Sequence, residues 1–223
     1  MISVHAEAER NIRIVTEQTE KFYNCKLLRH LYIISGCNGA GKTTASYTIL
    51  PEMLNCNEFV NADEIAKGLS PFNPENASIQ AGRLMLERIQ HLIETKNDFA
   101  FETTLATKSY KNLIIKAKSS DYKIILLFFW LRTPDLAVKR VQTRVLEGGH
   151  NIPEDVIRRR YENGLMNFFN IFEPIVDEWM FIDNSGEPYE ILAESNNSNI
   201  EIENEKVWNF LIQKYKKNEN GES

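Results

Sequence analysis

The sequence predicts an α/β fold of three layers, with helices on both faces of a five-stranded parallel sheet. Three observations predict it. Apolar, β-branched runs alternate with longer helical patterns, as a sheet joined by crossover helices requires. The stretch GCNGAGKTT at 36–44 follows the first of those runs and opens a helix. Its 223 residues, 43% hydrophobic and 26% charged, suffice for one sizeable core.

The strands are expected at about 31–35 (LYIIS), 58–61 (EFVN), 98–102 (DFAFE), 123–131 (KIILLFFWL) and 179–183 (WMFID). Leu84, Ile89, Leu92 and Ile93 recur at near-helical spacing, and so do Ile157, Tyr161, Leu165 and Phe168. Residues 1–27 read as an amphipathic helical extension and 28–190 as the core, with a lid at 140–160. Residues 191–223 read as a polar linker, a C-terminal helix around VWNFLIQKYKK and a frayed tail. The whole is expected to be a single domain.

Composition narrows the function. A net charge of −5 argues against a duplex-binding surface made of many phosphate contacts and favours a small anionic ligand. Cys25, Cys37 and Cys56 have neither metal-ligand spacing nor an even count, which points to a reducing, cytoplasmic compartment. The opening MISVHAEAER has acids where a signal peptide would be apolar. The longest apolar run, IILLFFWL, is far short of the roughly 20 residues that span a bilayer. A membrane protein is therefore not expected.

Gly36 and Gly41 bracket four residues and precede Lys42 and Thr43, the G-x-x-x-x-G-K-[ST] phosphate loop. Its glycines let backbone N–H groups of Asn38, Gly39, Ala40, Gly41 and Thr44 approach phosphate oxygens at a helix N-terminus. Lys42 adds charge at the β and γ phosphates, and the Thr43 hydroxyl is placed to ligate Mg²⁺. Cys37 inside the loop reads as a small filler.

Two acids fall where ligands collect in parallel sheets, at the carboxyl ends of the strands. Asp63 follows the second strand in NADEIA, either as a helix N-cap or as a proton acceptor. Glu102 closes the third strand between Phe101 and a threonine pair, and packing does not explain an acid there. Further on, RVQTRVLEGGHNIPEDVIRRRY holds Arg140, Arg144, Arg158, Arg159 and Arg160 around the hinge Gly148–Gly149, with His150 beside it. Arg140 and Arg144 share a helix face, and Pro153 starts the next helix. A helix, hinge and helix of this kind suits a lid that brings arginines over a transferring phosphoryl group. Arg158 reads as a solvated surface charge.

GCNGAGKTT, NADEIA, FETTLAT, the arginine-rich segment and FIDNSGEP, in that order, resemble the zeta-toxin family of P-loop kinases, in its branch of short bacterial proteins with a GGH lid. The resemblance covers about positions 30–188. It implies a P-loop kinase-like sheet of order 2-3-1-4-5, with ATP and Mg²⁺ as cofactors. The acceptor it implies is a nucleotide sugar such as UDP-N-acetylglucosamine. By the same resemblance Asp63 is the base for the sugar hydroxyl, Glu102 contacts substrate or metal-bound water, and Thr104 binds substrate. Arg144 with Arg159 or Arg160 clamps phosphates, Arg140 stacks on adenine, and Asp183 and Asn184 lie near the base. Thr103 stands where a glycine is frequent in the family, which implies a different sugar pocket. An antitoxin protein is the implied partner.

The competing expectation is an ATP-driven switch with no acceptor. No LSGGQ-like stretch supports a transporter-type ATPase, and KIILLFFWL ends in Leu131–Arg132 without the acid that hydrolytic switches use. A polynucleotide kinase would need a basic track with exposed aromatics, whereas Phe168, Phe169 and Phe172 read as core.

Overall fold

The computed structural model describes residues 29–149, 151–196 and 199–217. The expected N-terminal helix, Cys25, His150 and the last residues of the tail lie outside these. The sheet begins with β1 (Arg29–Gly36), whose Leu31, Ile33 and Ile34 are almost wholly buried. Helix α1 (Lys42–Thr48) follows the phosphate loop and runs on as a π-helical turn, Ile49–Met53. Next come β2 (Phe59–Val60), α2 (Ala62–Leu69), a 3-10 turn at Pro74–Ala77 and α3 (Ser78–Glu94). The chain continues with β3 (Phe99–Thr103), α4 (Tyr110–Lys118), β4 (Tyr122–Trp130), α5 (Pro134–Leu146) and α6 (Glu154–Asn167). It closes with β5 (Glu178–Asp183), β6 (Glu190–Asn196), β7 (Asn199–Ile202) and α7 (Glu205–Tyr215).

The strand order is β2-β3-β1-β4-β5-β6-β7. Its first five strands are parallel in the expected order 2-3-1-4-5. The sheet has seven strands, not five: β6 and β7 extend it antiparallel, where the sequence suggested a polar linker. The misreading has a physical cause. A bulge between Phe181 and Ile182 shifts the register of β6, and all four residues of β7 are exposed, so neither strand shows the apolar run of an inner one. In α3 the core positions are Ala81, Met85, Ile89, Leu92 and Ile93, while Leu84 is partly exposed. Three apolar residues in a row, 84–86, left that choice to packing.

The central strands bury both faces. On one face Phe128 of β4 stacks on Phe181 of β5, with ring centres 5.0 Å apart, and Phe168, at the end of α6, packs on both. Trp208 of α7 stacks on Trp179 at 5.3 Å and touches Phe169 and Phe181. Burying each such side chain contributes about 1.5–3 kcal/mol. On the opposite face Leu127, Phe129, Met180 and Ile182 line an apolar cavity of about 480 Å³ beneath α1. Tyr161 of α6 accepts a hydrogen bond from Trp130 Nε1 at 3.1 Å and donates to the Leu131 carbonyl at 2.7 Å. These bonds fix the arginine-bearing helix to the carboxyl end of the sheet.

Candidate active site

Parallel pairing brings the ends of β2, β1 and β3 together: Ile34 pairs with Glu102, Ser35 with Thr103 and Val60 with Phe101. The phosphate loop therefore leaves β1 beside Glu102. Gly41 takes φ 83° as the N-cap of α1. A Cβ there would sit 2.5 Å from the Asn184 amide nitrogen, so both backbone conformation and space call for glycine. Lys42, only 6% exposed, folds back and donates to the Cys37 carbonyl at 3.0 Å, with its Nζ 3.5 Å from Glu102 Oε1.

Glu102 is the centre of the arrangement. Its Oε2 accepts from the Thr43 hydroxyl at 2.7 Å and from the Asn61 amide at 2.8 Å. Asn61 is buried, and its own Oδ1 accepts from the backbone N–H groups of Asp63 at 2.8 Å and Glu64 at 3.4 Å. Asn61, not Asp63, is thus the N-cap of α2: β2 ends at Val60, and Asn61 keeps the extended backbone that a cap requires. Asp63 stands exposed in the first turn and lines a small cleft with Ala66, Lys67, Pro74 and Ser78. Glu64 pairs with Lys67 at 2.7 Å.

The substrate-side loop is held from α6. Gly164 approaches so closely that a Cβ there would meet the Thr104 carbonyl at 2.7 Å. Asn167 donates to the Leu105 carbonyl at 2.7 Å, and Leu105, wholly buried, takes φ 53°. A leucine in the left-handed region persists only where its surroundings enforce it, and the Thr103 hydroxyl, which accepts from Leu105 N at 3.1 Å, is part of that enforcement. Thr104 is held half-buried at this bend.

The arginines separate into distinct environments. Arg160 donates to Asn38 Oδ1 of the phosphate loop at 3.3 Å, whereas Arg159 is exposed. Arg140 donates to the Ser185 carbonyl at 3.3 Å, between loop and strand end. Arg144 lies in the last turn of α5: its carbonyl accepts from Gly149 N at 2.8 Å, and Gly149 packs against its side-chain stem. Gly148, at φ 88°, makes the reversal, and Pro153 caps α6 rather than opening it. Arg158 pairs with Glu154 and Asp135 at the surface, the solvated role expected of it.

The loop after β5 braces the other side. Buried Asp183 accepts from Arg132 Nε at 2.7 Å and Ser185 N at 2.9 Å, and Asn184 donates to the Ala40 carbonyl at 2.8 Å. Burial pushes the Cys37 thiol up to about 11 against the pull of Lys42, so it stays a neutral filler. Sequence reasoning missed Asn61 and Asn167. The helix start at NADE signalled the first, and nothing local signalled the second.

Among the described residues no group of three or more His, Cys, Asp or Glu side chains could enclose a metal. One hydroxyl beside one carboxylate suits an ion that keeps its waters and takes its remaining ligands from phosphate. The residues present fit a magnesium nucleotide.

Among the described residues, no helix is long and apolar enough to cross a membrane. The family described as Zeta toxin matches residues 15–188 of this chain. A Haemophilus influenzae protein described as uncharacterized is 29% identical over 131 residues, 56% of this chain and 88% of that one. Among solved structures, the AvrRxo1-ORF1:AvrRxo1-ORF2 crystal structure with sulphate ions aligns with TM-score 0.67 at 15% identity. That match covers 88% of this chain, which spans 66% of the other's length. The PezAT chromosomal toxin-antitoxin system of Streptococcus pneumoniae aligns with TM-score 0.61 at 17% identity, over 98% of this chain and 88% of that one. These likenesses establish the P-loop kinase type of fold.

Proposed function

The chain belongs to the zeta-toxin family, and from that premise we propose that it is an ATP-dependent kinase that transfers the γ-phosphoryl group to a hydroxyl of a nucleotide sugar such as UDP-N-acetylglucosamine. The observation that carries the reading is the continuous link from Thr43 through Glu102 and Asn61 to the helix of Asp63. It joins a phosphate loop to an exposed carboxylate that can accept the proton of an acceptor hydroxyl. A further AvrRxo1-ORF1:-ORF2 crystal structure, determined with ATP, aligns over 93% of this chain at 15% identity with TM-score 0.65 and supports the choice of donor.

In this reading Asn38, Gly39, Ala40, Gly41 and Thr44 cradle the phosphates, and Lys42 leaves the Cys37 carbonyl for the β and γ oxygens. Glu102 orients the Thr43 hydroxyl, which would hold a magnesium ion, and that ion when bound would neutralise charge on the phosphates. Asp63 accepts the proton of the attacking hydroxyl, while Glu102 and Thr104 face the acceptor. Arg144 with Arg160, in preference to the exposed Arg159, neutralises the transferring group, and Arg140 lies against the adenine. The PezAT system pairs a toxin with an antitoxin, which supports an antitoxin protein as partner.

The test incubates the purified protein with Mg·ATP and a panel of nucleotide sugars, with Asp63→Ala as control. A product heavier by one phosphoryl group that disappears in the control is expected. ATP hydrolysis at one rate with or without every acceptor would replace the kinase reading by that of an ATP-driven switch.

A further inference from the structure

Asn61 holds a position that its role as a cap does not explain. Any of Asn, Asp, Ser or Thr caps a helix well, because each offers an oxygen to the first-turn N–H groups. At Asn61 that oxygen is committed to Asp63 N and Glu64 N. The NH₂ end is thereby forced to face Glu102 Oε2, 2.8 Å away, and this fixes the orientation of the amide. A Ser or Thr hydroxyl can also accept and donate at once, but from a single atom on a shorter side chain; among the good caps only asparagine carries its acceptor and its donor on two separate atoms, one for the helix and one for the carboxylate. The carboxylate oxygen it reaches is the one that also receives the Thr43 hydroxyl, and the other oxygen faces Lys42. Asn61 is 4% exposed, so losing either bond strands a buried polar group.

We propose that Asn61 is a positioning residue that couples the two ends of the site: it holds Glu102 aimed at the Thr43 hydroxyl while fixing the start of the helix that carries Asp63. The coupling to Asp63 rests on the kinase reading above. The coupling to Thr43 does not, because it concerns nucleotide binding whatever the acceptor. Removing the donor frees Glu102 to rotate away from Thr43 and toward Lys42, and the hydroxyl loses the partner that orients it.

The test uses a double-mutant cycle. Asn61→Ser keeps a cap but is too short to reach Glu102, and it adds no charge beside the carboxylate. A hydrogen bond to a charged group corresponds to roughly a 10- to 100-fold change in binding. Asn61→Ser is therefore expected to weaken Mg²⁺-dependent ATP binding, measured with a fluorescent ATP analogue, by at least about tenfold, with Mg²⁺-free binding close to wild type. In a chain that already carries Glu102→Ala the same change is expected to cost little more, a non-additivity that a pure cap would not produce. Asn61→Thr, a cap of the same short reach, secures the test should the Ser variant fold poorly. Wild-type Mg²⁺ dependence in both Asn61 single variants, or simple additivity in the double one, would overturn the proposal. Transfer to an acceptor is scored separately, so a protein that phosphorylates nothing on the panel still reports on this coupling.

Discussion

The side-chain amide of Asn184 donates to the carbonyl of Ala40 at 2.8 Å, across 144 residues of sequence. The loop after β5 is thereby tied to the loop that would hold the phosphates, and the same amide nitrogen sits where a Cβ on Gly41 would clash. One side chain thus braces the phosphate loop and occupies the space beside Gly41.

Asn184→Ala should therefore weaken ATP binding without unfolding the protein. Losing one partner of a part-buried backbone acceptor costs about 1–3 kcal/mol, or roughly a 5- to 150-fold loss of affinity if it is felt in the bound loop. Titration calorimetry with ATP measures it, with Ser185→Ala as a neighbouring control. Unchanged affinity in Asn184→Ala would mean that the loop keeps its shape without the brace.

The aromatic cluster makes a prediction about stability. Trp208 lies 5.3 Å from the rings of Phe169, Trp179 and Phe181 and is itself almost wholly buried. Trp208→Ala should destabilise the fold by about 3–5 kcal/mol. Urea unfolding followed by circular dichroism checks this, and a loss below about 1 kcal/mol would show that α7 docks on the sheet by other contacts.

Much of this site was legible because its parts are contiguous or chemically odd. The phosphate loop is a local spacing, and Glu102 is an acid closing an apolar strand, so both could be read without knowing what lies beside them. Asn61 could not be read in the same way. Its meaning depends on Glu102, 41 residues away on a neighbouring strand, and an asparagine after a two-residue strand looks like any turn residue. Asn167 is hidden for a similar reason, since its partner is a carbonyl at Leu105, and carbonyls carry no sequence signal. Strands β6 and β7 escaped because an edge hairpin needs little apolar content: pairing with β5 satisfies the backbone of β6 while its Asn and Ser residues imitate a linker.

Two buried thiols make stability depend on alkaline pH. Burial raises both Cys37 and Cys56 from an ordinary 9.0 to about 11. Below the ordinary value both states keep the proton and stability is complete. Between it and the raised value the unfolded chain gives up protons that the folded chain retains, so stability falls as pH rises, by up to about 1.4 kcal/mol per pH unit for each thiol. Urea midpoints at about pH 8 and about pH 10.5 should therefore fall less in Cys37→Ala than in the wild type. Equal falls in the two proteins would remove Cys37 as a contributor.

Arg159 and Arg160 are adjacent in sequence, yet α6 sends only Arg160 to the phosphate loop, at 3.3 Å from Asn38 Oδ1. A guanidinium already seated there needs little rearrangement to meet charge that develops on a transferred phosphoryl group, and such preorganised donors are worth about 10²–10³ in turnover. Arg160→Ala should lower kcat by about 100-fold with a much smaller change in the KM for ATP, because the interaction grows in the transition state. Arg159→Ala should change either constant by less than about threefold, as exposed charges do. Steady-state kinetics of the two variants, measured side by side, decides between two pictures of the lid. If Arg160 dominates, α6 works as it stands, held by Tyr161 against the sheet. If Arg159 dominates instead, the helix must turn about its axis on closure, and the Tyr161 bonds to Trp130 and Leu131 must break for it to do so.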